Sequence, residues 1–207
     1  MPELPEVQTV VEFIAPKLQG RIIKKIEVRR DKLRNYLPVA ALQALREVKI
    51  ITIKRQHKYF LWQLENNYSL IFHLGMTGMV KIRKSHYQPS CHDHLLFHLD
   101  NHQIALFEDY RRFGLIDLIA NQNIAKHQYF AKLGVDPISS KIEPRALYEK
   151  MLKRQTPIKV LLLDQHFISG LGNIYAAEAL FLAAINPKII ANKFSFKRFK
   201  ALCQAVE

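Results

Sequence analysis

A change of hydrophobic period near residue 120 limits the fold of this chain more than any other feature. From Arg21 to about Leu118 the apolar residues alternate or gather in short branched and aromatic runs: IIKKIEV, VKIITIK, YFLWQL, SLIFHL, MVKI, HLLFHL and QIALFE. A period of two belongs to strands with one face buried. Turn signals such as ENN and DNH separate several of them. Beyond residue 120 the spacing turns helical in QNIAKHQYFAKLG, EPRALYEKMLKRQ, IKVLLLDQ, NIYAAEALFLAAI and SFKRFKALCQAV, with Pro144 and Ser195 at starts and Gly134 after an end. Two helices interrupt or precede the strands. One spans 5–19, with Val7, Val10, Val11, Ile14 and Leu18 on one face and Pro16 in conflict with its last turn. The other is the short VAALQALR. Strands first and helices second predict an α+β chain: a β-sandwich or barrel over 1–120, flanked by helices, then a helical domain over 121–207.

Charge narrows the partner. Lys and Arg total 31 against 18 acids, a formal net charge of +13. An excess of that size favours a polyanion, most often nucleic acid, over ordinary solubility charge. A membrane-surface role would gather the bases on one amphipathic helix. Here they spread over KLQGRIIKKIEVRRDKLR, KIITIKRQHK, VKIRK, YRRFG, KMLKR and KFSFKRFK, so a groove built from several elements is expected. No apolar run approaches the roughly 20 residues that span a bilayer. Two cysteines, Cys91 and Cys203, imply no disulfide framework and predict a reducing, cytoplasmic setting.

Four short stretches carry chemistry. HLGMTG (73–78) sets two glycines around Met76, which either packs in a core or projects from a tight turn. DYRRFG (109–114) puts Arg111, Arg112 and Phe113 before a glycine, a pattern that suits phosphate binding and base stacking as well as a solvated arginine pair. HDH (92–94) resembles a metal motif, but His92 and His94 lack a second ligand pair, so no metal is expected. ISGLGNIYAAEAL (168–180) opens a helix at Asn173 after a glycine-rich turn; such a start binds phosphate and also closes a tight helix–helix turn.

The opening MPELPEV is the most unusual stretch. Proline and acid suit a first helical turn, which accounts for Pro5 and Glu6. Pro2 and Glu3 precede any helix. Removal of Met1 exposes the Pro2 nitrogen as a secondary amine, and an α-amine of pKa about 8 is partly unprotonated near neutrality. Attack of that amine on a sugar C1′ yields an iminium ion, an electron sink that eases loss of a 3′ phosphate by elimination. Glu3 is next in sequence to move protons.

MPELPEV, QHKYF, HLGMTG, HDH, YRRFG and GLGNIYAAEAL, in this order, resemble the bacterial formamidopyrimidine-DNA glycosylases. The resemblance runs over essentially the whole chain. The related endonuclease VIII is less similar, because its start usually has Gly where this chain has Leu4. The resemblance implies a β-sandwich joined to a helix–two-turns–helix domain, with damaged double-stranded DNA bound between them by a monomer of the bacterial cytoplasm and nucleoid. It implies removal of oxidised purines (8-oxoguanine, formamidopyrimidines) and β/δ-elimination at the abasic site. Pro2 matches the Schiff-base nucleophile, Glu3 the proton shuttle, and Lys58 a second proton donor and phosphate ligand. Met76, Arg111 and Phe113 match the trio that fills the gap left by a flipped base, with Arg111 facing the orphaned cytosine. His73, His92, Arg154 and Asn173 match DNA-backbone contacts.

The family's structural zinc sits in a four-cysteine finger, which Cys91 and Cys203 cannot build, so no cofactor is expected in these residues. The last helical pattern stops at Glu207 without a cap, and the chain reads as cut there. Two rival readings follow: a DNA-binding fragment impaired in catalysis, and an RNA-binding or ribosome-associated protein that shares the charge without the motifs.

Overall fold

The computed structural model describes residues 2–207; the expected removal of Met1 concerns a residue outside that range. The chain divides into two compact units, at 1–126 and 127–207.

The first unit opens with helix α1 (Leu4–Leu18), whose Leu4, Val7, Val11, Ile14 and Leu18 recur every three or four residues and are all buried. Each buried aliphatic side chain contributes roughly 1.5–3 kcal/mol before entropy is counted. Pro16 falls in the last turn, where it removes one hydrogen bond, and the helix still runs to Leu18. Eight strands follow: β1 (Ile22–Val28), β2 (Val48–Gln56), β3 (Tyr59–Leu64), β4 (Tyr68–His73), β5 (Gly78–Lys84), β6 (Asp93–Leu99), β7 (Gln103–Asp109) and β8 (Leu115–Ala120). Helix α2 (Val39–Gln43) lies between β1 and β2 and is shorter than the VAALQALR pattern predicts.

The strands hydrogen-bond in the order β5-β7-β6-β1-β2-β3-β4-β8. All neighbours are antiparallel, but β1 and β2 share only the pairs Ile22↔Lys49 and Ile23↔Val48. At that weak seam the sheet folds over. Trp62 of β3 meets Phe97 of β6 at 4.9 Å between ring centres, and Phe72 of β4 meets Phe97 at 6.2 Å and Phe107 of β7 at 6.3 Å. Each of these ring pairs joins strands that are not hydrogen-bonded neighbours, so the rings join two facing four-stranded layers. The expected sandwich is therefore present, with an aromatic centre.

The second unit holds α3 (Pro144–Leu152), α4 (Ile158–Leu163), α5 (Asn173–Leu182) and α6 (Phe196–Val206) around its own apolar core. Pro144 stands at the start of α3, and the Ser195 hydroxyl caps α6 by accepting from Arg198 N–H. The helix expected over QNIAKHQYFAKLG does not form. Asn121–Lys126 is a short 3-10 turn, and 127–134 is a string of turns. The backbone there closes local turns, with Phe130 and Ala131 N–H both donating to His127 O at 2.9 Å, and its end is tied to the α4–α5 turn: Gly134 N–H donates to Gln165 O at 2.8 Å and Ser169 N–H to Val135 O at 2.9 Å.

Candidate active site and nucleic-acid interface

Glu3 caps α1. The two form a capping box: the Glu6 carboxylate accepts from Glu3 N–H at 2.9 Å, and the Glu3 carboxylate accepts from Glu6 N–H. Glu3 itself is only 3% exposed, and Pro2 beside it is half-buried. Lys58 is 7% exposed, in the tight turn between β2 and β3. Arg55 pins that turn, donating from Nε to Gln8 Oε1 of α1 at 2.8 Å and from Nη1 to His57 O at 3.0 Å. Burial pushes the Lys58 ammonium below its ordinary value, while the carboxylates of Glu3 and Glu6 pull it back up. The buried Glu3 and the buried Lys58 thus act on one another electrostatically.

His73 ends β4 opposite Tyr59, with the two rings 4.8 Å apart. Gly75 N–H donates to His73 Nδ1 at 2.9 Å, so the ring carries its proton on Nε2. Burial first, then the charges of Arg34 and Lys58, lower its pKa to about 4. His73 is therefore a neutral N–H donor at physiological pH. The sign of the linkage is fixed by the lowered value. Between about pH 6.5 and 4 the unfolded chain binds a proton that the folded chain refuses, so stability falls as pH drops through that window. The full loss is roughly 3 kcal/mol. His73→Asn, whose amide oxygen can still accept from Gly75, should flatten that part of the stability–pH curve in urea titrations. An unchanged curve would contradict the assignment.

Two loops flank this cluster. Gly75 has φ +61°, and a Cβ there would stand 2.4 Å from the Phe113 carbonyl carbon, so the 74–77 loop requires glycine to lie against the 110–114 loop. Met76 and Phe113 are 42% and 46% exposed, on the two loops that pack together. Arg111 is also exposed and lies over the Phe113 ring at 4.7 Å. The two histidines of HDH have different fates. His92 is half-buried with its ring 4.2 Å from Tyr110, whereas His94 is buried and its Nε2 lies 2.8 Å from Asp109 O. Asp93 accepts from Tyr87 OH and Ser90 N–H. Among the described residues no group of three or more His, Cys, Asp or Glu could hold a metal ion. Cys91 is exposed, and burial pushes the Cys203 thiol up to about 12, so neither offers a zinc set.

In the second unit Arg154 follows α3 and pairs with Asp164 at 3.4 Å, both lying toward solvent. It lines a cavity of about 330 Å³ with Lys150, Lys153, His166 and Phe167. Asn173 is exposed at the first position of α5. Gln165 builds the turn before it, accepting from Gly170 N–H at 2.9 Å and donating to Leu171 O at 2.8 Å. Sequence reasoning missed Arg34, Tyr59 and Gln165. Arg34 lay inside a basic run with nothing to single it out, and Gln165 has no local signature at all.

Comparison with known proteins gives the same picture from outside. The sequence model of the formamidopyrimidine-DNA glycosylase N-terminal domain matches residues 1–116, and that of the formamidopyrimidine-DNA glycosylase H2TH domain matches 133–207. A formamidopyrimidine-DNA glycosylase of Rickettsia bellii is 39% identical over all of this chain and 76% of its own length. One from Ruegeria is 38% identical over 98% of this chain and 74% of its own. The Lactococcus lactis Fpg in complex with abasic-site DNA superposes with a TM-score of 0.90 at 29% identity, covering 99% of this chain and 75% of that one. The same enzyme with DNA containing an oxidised pyrimidine gives 0.91 at 30%, covering 99% and 77%. A sandwich unit and a helical unit of these two kinds define a DNA glycosylase of base-excision repair. Within that class, the chain belongs to the formamidopyrimidine-DNA glycosylase family. Among the described residues no helix is long and apolar enough to cross a membrane.

Proposed function

We propose that this chain excises oxidised purines, 8-oxoguanine and formamidopyrimidines, from double-stranded DNA and then cleaves the resulting abasic site. The observation that carries the reading is a buried Glu3, next to Pro2 in the chain, whose charge acts on the buried Lys58. The Pro2 nitrogen, freed by loss of Met1, forms a bond to C1′ as the damaged base departs with the electrons of the glycosidic bond. Glu3 and Lys58 handle the protons of base departure and ring opening. The iminium draws electrons from C2′, so a C2′ proton leaves and the 3′ phosphate departs; a second elimination releases the 5′ phosphate.

The remaining residues hold DNA. His73, His92, Arg154 and Asn173 contact backbone phosphates, with His73 donating as a neutral N–H. Met76, Arg111 and Phe113 fill the gap that a flipped base leaves, and Arg111 offers donors to the unpaired cytosine. Three exposed side chains, two of them large and apolar, on two mutually packed loops support that role. The protein works as a monomer in the bacterial nucleoid and needs no cofactor in these reacting residues.

Borohydride trapping on an oxidised-purine duplex and on an abasic duplex tests the reading: reduction of the iminium leaves a covalent complex. DNA binding without trapping on either duplex would mark a non-catalytic DNA-binding module instead. Salt dependence tests the backbone contacts separately. Arg154→Ala should flatten the slope of log affinity against log salt by about one unit if the guanidinium holds one phosphate. An unchanged slope would remove Arg154 from the interface and leave it as the partner of Asp164.

A further inference from the structure

We infer that Asp109 is a positioning residue that clasps the Met76 and Arg111–Phe113 loops into one preformed wedge; this rests on the gap-filling role proposed above for those side chains. Asp109 ends β7 with 0% exposure. Its main chain is fixed to the residues around the start of β6: Asp109 N–H donates to His92 O at 3.0 Å, and His94 Nε2 meets Asp109 O at 2.8 Å. The carboxylate serves both loops. Oδ1 accepts from the Thr77 hydroxyl and from Arg111 N–H at 3.2 Å, and Oδ2 accepts from Gly114 N–H at 2.7 Å. Thr77 Oγ1 also accepts from Arg111 N–H, at 3.1 Å.

One buried side chain therefore holds the residue after Met76 and the residues on either side of the Arg112–Phe113 pair. The contacts are tight on every side. A Cβ on Gly114 would stand 3.0 Å from Asp109 Oδ2 and 2.5 Å from the Phe107 ring. Arg112 is held at φ +59°, a left-handed backbone that persists only where its surroundings over-determine it. The clasp supplies that determination with hydrogen bonds to a carboxylate, which are stronger than neutral ones.

The consequence is lesion preference rather than general affinity. An intact base stack has no room for the wedge, whereas a gap accepts it. If Met76, Arg111 and Phe113 are ordered before binding, little of their conformational entropy is lost at the gap. Backbone contacts hold both kinds of DNA alike and do not pass through the Asp109 carboxylate; His92 is tied only to the Asp109 main chain, which the variants leave in place.

The experiment measures the affinity of the full chain for a duplex with a tetrahydrofuran abasic analogue and for the matched undamaged duplex. Asp109→Asn turns an N–H toward the Gly114 N–H, and Thr77→Val removes the hydroxyl bridge. In both, the preference for the abasic analogue should fall by about tenfold as ordering moves into the binding step. Affinity for undamaged DNA should stay within about twofold, because the phosphate contacts are untouched, and Thr77→Ser should restore the preference. A smaller folded fraction would weaken both duplexes equally and leave their ratio unchanged, so the ratio isolates positioning from mere stability. A wild-type protein with no preference would overturn the proposed function itself. A wild-type preference that both variants keep would overturn the clasp alone. Should Asp109→Asn fail to fold, Thr77→Val, which leaves the Gly114 bond in place, decides the matter.

Discussion

Pro2→Gly lowers the yield of borohydride-trapped complex on abasic DNA by about two orders of magnitude while the fold is retained. The variant keeps an N-terminal amine, so the loss measures what proline adds. A secondary amine gives an iminium that cannot shed its charge, whereas a primary amine gives an imine that becomes neutral on losing a proton and then draws electrons poorly. Glycine also frees the backbone just before the Glu3 cap, and the nitrogen loses its aim. The fold is spared because Pro2 precedes α1, and the helix start rests on Glu3, Glu6 and the burial of Leu4. Mass spectrometry of the trapped complex should show Met1 absent. A protein that keeps Met1, and with it an amide at the Pro2 nitrogen, and still traps DNA would refute the nucleophile.

Glu3→Gln separates the two halves of the reaction. General acid–base catalysis is worth about 10²- to 10⁴-fold, so removing the shuttle should slow excision of an oxidised purine by at least about a hundredfold. Glutamine has nearly the shape of glutamate, and the helix start still has Glu6, whose carboxylate accepts from the backbone N–H of residue 3. Stability should therefore change little. The buried Lys58 loses one of the two carboxylates that oppose its desolvation, so its pKa should drop further. On a pre-formed abasic site no base has to leave, and trapping there should fall far less than excision. Equal losses on both substrates would show that Glu3 serves the common iminium step and not base departure.

Much of the sandwich was legible because strand pattern is local. YFLWQL was read over the same six residues that form β3, and most other strands differ from their patterns by one or two residues. β8 was not singled out: LIDLIA is a short apolar run without clear alternation, and it becomes a strand by pairing with β4 along its whole length. The segment after residue 120 misled for the opposite reason. Its apolar residues fall at helical spacing, but its end is tied through Gly134 and Val135 to the α4–α5 turn and the rest closes short local turns, so tertiary pairing overrides a weak local preference. HDH shows how far a motif reaches. Three adjacent polar residues look alike in sequence, yet one stacks on Tyr110, one gathers the 87–90 loop and one supports Asp109.

The sequence by itself determined the order of the two units, the amphipathic α1, the basic character and the quoted motifs, including the Pro2–Glu3 opening. These depend on residue type, spacing and net charge, which need no coordinates. Only the tertiary structure decided that Glu3 and Lys58 are buried together, that His73 is a neutral donor, and that Asp109 ties two loops separated by more than thirty residues. Burial and electric field are set by groups distant in the chain: His73 is held neutral by its desolvation and by Arg34 and Lys58, none of which its own neighbours in sequence reveal.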